Sequence, residues 1–255
     1  MKKVHIRFYE ELNDFIPQHR QKRWQEYTFA WKDTVRNALE SFGVPHTEVD
    51  LVLVNGESVS FEKELSDGDT ISVYPVFESI DISETTKLRP EALREPAFVL
   101  DVHLGKLTGY LRMLGFDSLY RNNLENDEII RISSDQQRII LTRDKGILRN
   151  KKVTHGYFLR SDNPKEQLKE IIRRFDLKHQ IKPFTRCMNC NGLLESVPKE
   201  DVKDILKENT RRYYTEFYRC CSCGNIYWKG AHYKKMKEWV GKLSIVYFVF
   251  LVSVF

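Results

Sequence analysis

Two short apolar runs that each end in an aspartate place the strongest constraint on how this chain can fold. "FVLD" ends at Asp101 and "RIILTRD" ends at Asp144, and a predicted helix follows each. Apolar runs of this kind are typical of strands buried on both faces of a parallel sheet. Residues 98–181 continue this alternation of strand and helix. The order predicts an α/β domain whose parallel sheet has helices on both faces.

Helix signals subdivide this predicted domain. Leucines at three- and four-residue steps precede Gly115, which is expected to end the first helix. Asn126 is a candidate N-cap for the second helix. Asn163 and Pro164 form a candidate N-cap and first turn for the last one. "FDSLY" and "HGYFLR" are interpreted as the remaining strands.

Residues 1–77 predict a small α+β domain. Alternating apolar residues indicate strands, Asp33 is a candidate N-cap for one helix, and Asn-Gly and Asp-Gly pairs indicate turns. The order of these elements resembles the ubiquitin-like β-grasp fold, especially its small sulfur-carrier branch, whose late "L-x-D-G-D-x-I" stretch is matched here from Leu65 to Ile71. Carriers of that branch act through a free C-terminal Gly-Gly. This domain has "YPVFESI" instead, so we expect a docking or stabilising module.

The segments 78–97 and 243–255 flank the predicted domains. The first is polar, with two prolines and no clear period, and is interpreted as a linker. The second has 13 residues without a charge, short of the roughly 20 apolar residues that span a membrane. Its β-branched content favours a strand, and an edge strand, an interfacial tail and an aggregation-prone end all stay open. Because the N-terminus does not have the pattern of a secretory signal, the cytoplasm is the expected location.

Two Cys-x-x-Cys pairs predict a metal site in residues 182–242. Four thiolates can bind one Zn²⁺ in a closed tetrahedral site, and that site is structural. The 29 residues between the pairs include "KEDVKDILKEN", which is interpreted as a short amphipathic helix. A redox role is disfavoured by the presence of two pairs, and Cys221 is left over as a bystander. The predicted zinc ligands are Cys187, Cys190, Cys220 and Cys223.

The charge of the chain rises from its beginning to its end. Residues 1–80 carry 9 Lys/Arg against 14 Asp/Glu, whereas residues 182–255 carry 13 against 7. A polyanionic partner is therefore favoured at the C-terminal end, although ordinary solvated surface explains the same counts. Aromatic residues alternate with cations near the cysteines, a pattern that suits base stacking as well as a small core. The candidate RNA-binding cations are Arg211, Arg212, Lys234, Lys235 and Lys237.

The acidic residues at one edge of the predicted sheet suggest a second metal site. Asp101 and Asp144 end two strands, and Asp127 or Glu128 opens a helix beside them. Carboxylates gathered in one place need a counter-ion, and Mg²⁺ or Mn²⁺ prefers oxygen ligands. Each acid could instead cap a helix or favour its dipole. Acids that cluster at strand ends are often functional, and metal-assisted hydrolysis of a phosphodiester is chemistry they could support.

The order "FVLDVHLGKLTGYLRMLGFDSLY", "NDEIIRISSDQQRIILTRDKGIL", "YFLRSDNPKEQLKEIIRRFDL" and a ribbon ending "YWKGAHY" resembles the C-terminal RNase domain of the Mut-seven type exonucleases, a PIN-like family. The resemblance covers about residues 97–240. It implies that Asp101, Asp127 and Asp144 bind the metal, with Asp162 as a weaker fourth acid. Arg143 adjoins the implied site. Prokaryotic members often carry a ubiquitin-like domain in front.

These observations favour a metal-dependent ribonuclease of PIN-like fold with residues 98–181 as its nuclease domain and a structural zinc ribbon that aids RNA binding. The main alternative is a non-catalytic RNA-binding adaptor that keeps the fold. A protein partner of the β-grasp domain is also expected. A sulfur carrier is disfavoured because the Gly-Gly terminus is missing from residues 1–77.

Overall fold

The computed structural model of the chain describes residues 1–75, 86, 88 and 96–252. The strands are β1 (Lys2–Phe8), β2 (Gln25–Phe29), β3 (Val49–Val54), β4 (Glu57–Ser58), β5 (Thr70–Pro75), β6 (Phe98–Leu100), β7 (Ser118–Leu119), β8 (Ile139–Thr142), β9 (Gly156–Phe158), β10 (Leu194–Val197), β11 (Phe217–Cys220) and β12 (Ile226–Trp228). The α-helices are α1 (Val35–Ser41), α2 (Gly105–Met113), α3 (Asn126–Gln136), α4 (Lys145–Leu148), α5 (Pro164–Arg174), α6 (Glu208–Tyr213) and α7 (Ala231–Val252).

Two compact units make up the chain. The first comprises Met1–His103 and Arg121–Arg160, and the second comprises Leu104–Tyr120 and Ser161–Phe255. The predicted domain limits at 77, 97, 181 and 242 stay predictions, since the two compact units follow other boundaries and do not test them. Most of the predicted linker 78–97 lies outside the described residues.

The N-terminal part of the first unit is β-grasp-like, as predicted. Its sheet has the order β2-β1-β5-β3-β4, in which β1 and β5 run parallel and the other pairs are antiparallel. The alternating apolar residues of β1 and β5 join α1 in one buried core. The N-cap of α1 is Thr34, whose hydroxyl accepts from the N–H of Asn37, and the prediction of Asp33 as the cap is wrong. The Asp33 carboxylate instead accepts from the Thr34 N–H and from the Asn37 amide group.

The remainder of the first unit holds three parallel strands, β6, β8 and β9. The strands β6 and β8 are fully buried apolar runs, as expected of a parallel sheet flanked by helices, and α3 and α4 pack against them. The prediction of Asn126 as the N-cap of α3 is wrong, because Glu125 occupies that position. Asn126 is the first helical residue, and its side chain points to Asp144 instead.

In the second unit, α2 packs against α5. The helix α2 ends before Gly115, whose φ of +94° is left-handed and whose missing Cβ would lie 2.2 Å from the Lys182 carbonyl oxygen. Both facts explain the predicted helix stop, because any other residue would be strained and would clash. At α5, Asn163 is the N-cap and Pro164 the first residue, as predicted.

The cysteine-containing part of the second unit is built on an antiparallel sheet of order β10-β11-β12. The predicted amphipathic helix over "KEDVKDILKEN" is wrong. Lys199–Asp201 forms a 3-10 turn there, and α6 begins only at Glu208, the second-to-last residue of the stretch. Val202 is the buried residue of this stretch while its neighbours are exposed, so the segment does not present a continuous apolar face that could stabilise a helix.

The helix α7 extends to Val252, so the prediction that residues 243–255 favour a strand is wrong for the described positions up to 252. A helix already formed from Ala231 needs no new nucleus to propagate, and this outweighs the weak strand preference of β-branched residues. Within the ranges that the structure describes, none of the helices combines the length and apolar character needed to cross a membrane.

Candidate active site and cysteine metal centre

Asp101 follows β6 directly and lies at the carboxyl end of the parallel strands. Its backbone N–H donates to the Leu141 carbonyl oxygen at 3.1 Å, which continues the ladder between β6 and β8. The residue is only 7% exposed, and its Oδ2 accepts a hydrogen bond from the Thr142 hydroxyl at 2.7 Å. Asp101 is therefore a buried acid whose carboxylate accepts one hydrogen bond, from the neutral Thr142 hydroxyl.

Asp144 is linked to Asp101 through the same threonine. The Thr142 Oγ1 atom accepts from the Asp144 N–H at 2.8 Å while its proton goes to Asp101. The Asp144 carboxylate also caps α4, since Oδ1 accepts from the Gly146 N–H at 2.7 Å. Its Oδ2 faces the Asn126 amide nitrogen at 3.4 Å. Asp144 therefore serves as a helix cap and still presents an exposed oxygen at the end of β8.

The two candidate acids at the start of α3 have different surroundings. Glu128 forms an ion pair with Arg121, with 2.9 Å between Oε1 and Nη2. Asp127 is exposed and follows Asn126, whose side chain reaches Asp144. The first turn of α3 therefore contributes to the same neighbourhood as the end of β8.

Arg143 and Asp162 were the remaining predicted members of the site. Arg143 lies between Thr142 and Asp144 with an exposed side chain. Asp162 belongs to the second compact unit, where it is exposed and precedes the N-cap of α5. The roles of both residues stay predictions.

Ligand atoms converge at the cysteines and not at the acids. In the described part of the chain, Cys187, Cys190, Cys220 and Cys223 are the group of three or more possible metal ligands whose atoms all lie within 4.8 Å of one another. Asp101, Asp127 and Asp144 do not form such a group. The pairing of β6 with β8 and the hydrogen bond from Asn126 at the start of α3 to Asp144 bring the backbones of these acids to one region.

The distances between the cysteine sulfurs fit a tetrahedral metal ion. The Sγ atoms of Cys187 and Cys223 are 3.6 Å apart, and those of Cys190 and Cys220 are 3.4 Å apart. A tetrahedral zinc site with Zn–S bonds of about 2.3 Å places its sulfurs roughly 3.8 Å from one another. The four thiolates can therefore hold one metal ion such as zinc.

Each cysteine pair forms a tight turn around its first sulfur. The Cys187 sulfur accepts from the Cys190 N–H at 3.5 Å, and the Cys220 sulfur accepts from the N–H groups of Ser222 and Cys223 at 3.4 and 3.5 Å. A Cβ at Gly192 would lie 2.4 Å from the Ser222 hydroxyl oxygen. Glycine at this position thus lets the two turns approach each other.

Tyr227 adds a side-chain hydrogen bond to the cysteine cluster, with 3.0 Å between its hydroxyl oxygen and the Cys187 sulfur. Burial raises the pKa of the Cys187 thiol, but hydrogen bonds from Tyr227 and from the backbone of Cys190 and Asn189 lower that pKa to about 6. The Cys187 thiolate is therefore available near neutral pH. A metal ligand must be deprotonated, so these hydrogen bonds favour Cys187 as a ligand, whereas burial raises the pKa of the Cys190 thiol.

Arg112 joins the first cysteine turn to α2. Its guanidinium donates to the carbonyl oxygens of Asn189 at 2.7 Å and Met188 at 3.2 Å, and it also donates twice to the Ser118 carbonyl oxygen. The side chain is buried. Burial lowers the pKa of this guanidinium, whereas the nearby Cys190 and Cys187 raise it. The cysteine centre is thus attached to the helical part of its unit.

The predicted RNA-binding cations all lie on exposed helical positions of the second unit. Arg211 and Arg212 are on α6, where the Arg212 guanidinium lies 5.7 Å from the Tyr213 ring centroid. Lys234, Lys235 and Lys237 are on α7.

Sequence reasoning missed three residues at these sites: Thr142, Arg112 and Tyr227. A hydroxyl residue at the end of an apolar strand has no spacing pattern that reveals it. Arg112 left little signal, since it lies off the predicted leucine face, where a charged residue is ordinarily exposed. A buried cation at such a position needs partners, and here they are carbonyl oxygens.

The fold and site define the class of protein: an α/β protein with aspartates at parallel strand ends, a β-grasp-like N-terminal part and a four-cysteine centre. The model of the Mut7-C RNAse domain family matches residues 96–240, and that of the Mut7-C ubiquitin family matches residues 1–81. The chain belongs to the Mut7-C RNAse domain family. The resemblance seen in the sequence is thereby confirmed, including its ubiquitin-like N-terminal domain.

A solved structure of a putative molybdopterin converting factor, subunit 1, from Pyrococcus furiosus is similar to part of this chain. Sequence identity is 20%, the match covers 29% of this chain and 98% of the other, and the TM-score is 0.24. No curated protein matches the chain.

Proposed function

We propose that this protein is a metal-dependent ribonuclease that hydrolyses RNA phosphodiester bonds at the carboxyl ends of β6 and β8. The observation that carries the proposal is the buried Asp101, whose carboxylate Thr142 links to Asp144 just after the neighbouring strand β8. In open parallel sheets, active sites usually lie at the carboxyl ends of the strands. Membership of an RNase domain family supports RNA as the substrate.

The carboxylate oxygens of these acids are the kind of ligand that a hard divalent cation binds. Among the described residues, Asp101 has one hydrogen-bond donor for its carboxylate and no ion pair, so its negative charge is poorly compensated. Asp101, Asp144 and Asp127 would hold Mg²⁺ or Mn²⁺, which prefer carboxylate oxygens. When bound, the ion supplies charge stabilisation at the phosphoryl group and activates water. The role of Thr142 is to fix the orientation of Asp101.

The surroundings of the α3 acids favour Asp127 over Glu128 as the third ligand, because Glu128 is already paired with Arg121. Arg143 is exposed beside Asp144 and is suited to contact a phosphate. Asp162 remains a candidate fourth acid. The cysteine centre is proposed to hold a structural zinc ion, since four thiolates leave no open position.

RNA binding is proposed to involve Arg211, Arg212, Lys234, Lys235 and Lys237, which are exposed cations in the most basic part of the chain. Contacts of this kind release counter-ions, so RNA affinity should fall steeply as salt concentration rises. The ubiquitin-like domain is proposed to contact a protein partner.

The decisive experiment compares wild type with Asp144→Asn on labelled single-stranded RNA in the presence of Mn²⁺. Asparagine keeps an oxygen that can accept from the Gly146 N–H, so the cap and the fold should persist while the charge is lost. Cleavage should be abolished with RNA affinity nearly unchanged. Asp135→Asn, an exposed acid at the other end of α3, is the matched control and should cleave normally.

Equal cleavage by Asp144→Asn and wild type would refute the catalytic assignment. RNA binding by wild type without any cleavage would instead favour the non-catalytic adaptor.

A further inference from the structure

The second unit contains a groove beside the cysteine centre that the proposed catalytic site does not use. Two cavities of about 720 and 320 Å³ share the lining residues Met113, Met188, His232 and Met236. We call these two neighbouring cavities together the ribbon groove. Its larger cavity falls within the range of about 300–1,000 Å³ that is typical of small-molecule sites.

The walls of the ribbon groove are aromatic. In the smaller cavity, Tyr110 and Trp239 stack with 4.9 Å between ring centroids. In the larger cavity the rings lie in tilted pairs, 4.7 Å apart for Phe184 with Tyr233 and 6.4 Å apart for Tyr214 with Trp228. Tyr218 and Tyr227 complete the aromatic lining. Such walls suit a flat aromatic ligand better than a branched aliphatic one.

The charged residues of the ribbon groove all carry the same sign. The lining includes Arg186, Lys229, Lys165 and Lys235, and none of the lining residues, all of them described, is acidic. Arg186 and Lys229 form ion pairs with acids outside the lining. Lys165 and Lys235 hold no ion pair among the described residues, so the smaller cavity presents two uncommitted cations. The occupant should therefore be anionic as well as aromatic.

The lining that the two cavities share is adaptable. The three methionines that follow Met1 in the chain, at positions 113, 188 and 236, line both cavities. A methionine side chain is flexible and polarisable and makes favourable contacts with aromatic rings, so it accommodates rings of different shape. A site with such a lining should accept several bases without strict sequence preference.

We propose that the ribbon groove binds an unpaired RNA nucleotide, with its base among the rings of the larger cavity and its neighbouring phosphate near Lys165 and Lys235. This inference rests on RNA being the partner, as in the proposed function, and adds that the RNA is single-stranded at this position. Aromatic side chains bind splayed-out bases by stacking, whereas a paired base cannot enter a pocket.

The test measures the affinity of the full chain, in EDTA to prevent cleavage, for a natural oligoribonucleotide and for an abasic strand of equal length. The two strands carry the same phosphates, so a purely electrostatic surface binds them equally. Loss of base stacking should weaken binding of the abasic strand about five- to a hundredfold.

Two matched pairs of variants locate the effect. Tyr214→Leu removes a groove ring, whereas Tyr213→Leu removes a neighbouring ring that is 69% exposed and lies off the groove. Lys235→Ala removes a groove cation, and Lys242→Ala removes an equal charge at an exposed position further along α7 that lines neither cavity. Only the groove variants should lose more affinity for the natural strand than their controls. Only Tyr214→Leu should narrow the gap between natural and abasic strands.

Tryptophan fluorescence gives an independent readout. Trp228 and Trp239 line the groove, whereas Trp24 and Trp31 are 44% and 85% exposed in the N-terminal part. In a protein carrying Trp24→Phe and Trp31→Phe, the natural strand should quench the emission strongly and the abasic strand weakly.

Equal affinity for both strands, with each groove variant matching its control, would overturn the inference and leave an apolar protein segment as the better occupant. Such a result would leave the proposed ribonuclease function supported if Asp144→Asn still abolished cleavage. Conversely, base-dependent binding without cleavage in Mn²⁺ would support the groove and refute the ribonuclease.

Discussion

The Glu48 carboxylate of the β-grasp-like part accepts a hydrogen bond from the backbone N–H of Phe158, the last residue of β9, at 2.6 Å. Its other oxygen lies 3.3 Å from the Arg160 guanidinium, which also pairs with Asp14. Glu48 is 1% exposed. Because β9 pairs with β8, the strand that leads to Asp144, this contact supports the edge where the acids lie.

Glu48→Ala should therefore be strongly destabilising. The substitution leaves a backbone N–H without its acceptor and removes the buried one of two carboxylates that pair with Arg160, a loss of about 1.5–3 kcal/mol of unfolding free energy. Denaturant unfolding followed by circular dichroism measures this. Glu57→Ala, at an exposed position on β4, is the control and should cost little. A similar small change in both variants would show that the Glu48 contact contributes nothing.

The same contact changes the expected role of the N-terminal domain. From sequence, residues 1–77 could be a docking or stabilising module, and Glu48 gives no hint of which, because its partners are about 110 residues away. Local patterns report strands, caps and turns, as at Asn163 and Gly115. They do not report which buried charges meet across the chain.

The candidate sites were predictable to different degrees, because local sequence patterns do not show which groups meet in the folded chain. Spacing alone identified the four cysteines, whose ligand atoms do converge. Strand ends predicted Asp101 and Asp144 as site residues, whereas the Thr142 hydroxyl that links them depends on tertiary register and left no sequence signal. The caps wrongly predicted at Asp33 and Asn126 show that a polar side chain can bond to a partner outside its own helix. Asp33 accepts a hydrogen bond from Tyr27, and Asn126 donates one to Asp144.

Thr142→Val tests the link between the two acids. Valine matches the shape of threonine in this fully buried position but cannot donate to Asp101 or accept from the Asp144 N–H. Removing an outer hydrogen bond to a metal ligand typically lowers metal affinity or activity about 10–100-fold. The cleavage rate and the Mn²⁺ affinity should therefore both fall by that order. Thr154→Val, at an exposed position, should leave both unchanged. Full activity of Thr142→Val would remove the positioning role.

The fifth cysteine provides a control for the metal centre. Cys190→Ser should lose the zinc ion and unfold the surrounding ribbon, because metal binding supplies much of the folding free energy of such small units. Cys221→Ser should retain about one zinc ion per chain, since four other thiolates suffice. Metal analysis by mass spectrometry after purification distinguishes the two. Equal zinc content in both variants would contradict the ligand assignment.

Arg112→Lys tests the attachment of the cysteine centre to α2. Lysine keeps the charge, but one ammonium group cannot reach the carbonyl oxygens of Ser118, Met188 and Asn189 in the planar fork that arginine provides. Losing charged hydrogen bonds in a buried site should cost about 1.5–3 kcal/mol of unfolding free energy. It should also speed zinc release to a chelator. Arg131→Lys, on an exposed position of α3, should change neither quantity.

Brief treatment with EDTA should separate the two proposed metal ions. A zinc ion enclosed by four thiolates has no open position and exchanges slowly, whereas an ion held by a few carboxylates keeps several waters and leaves easily. Cleavage should therefore stop while zinc content and the circular dichroism spectrum stay unchanged, and added Mn²⁺ should restore cleavage. If activity returned only with Zn²⁺, the reaction would depend on zinc, and the assignment of Asp101, Asp127 and Asp144 to Mg²⁺ or Mn²⁺ would fail.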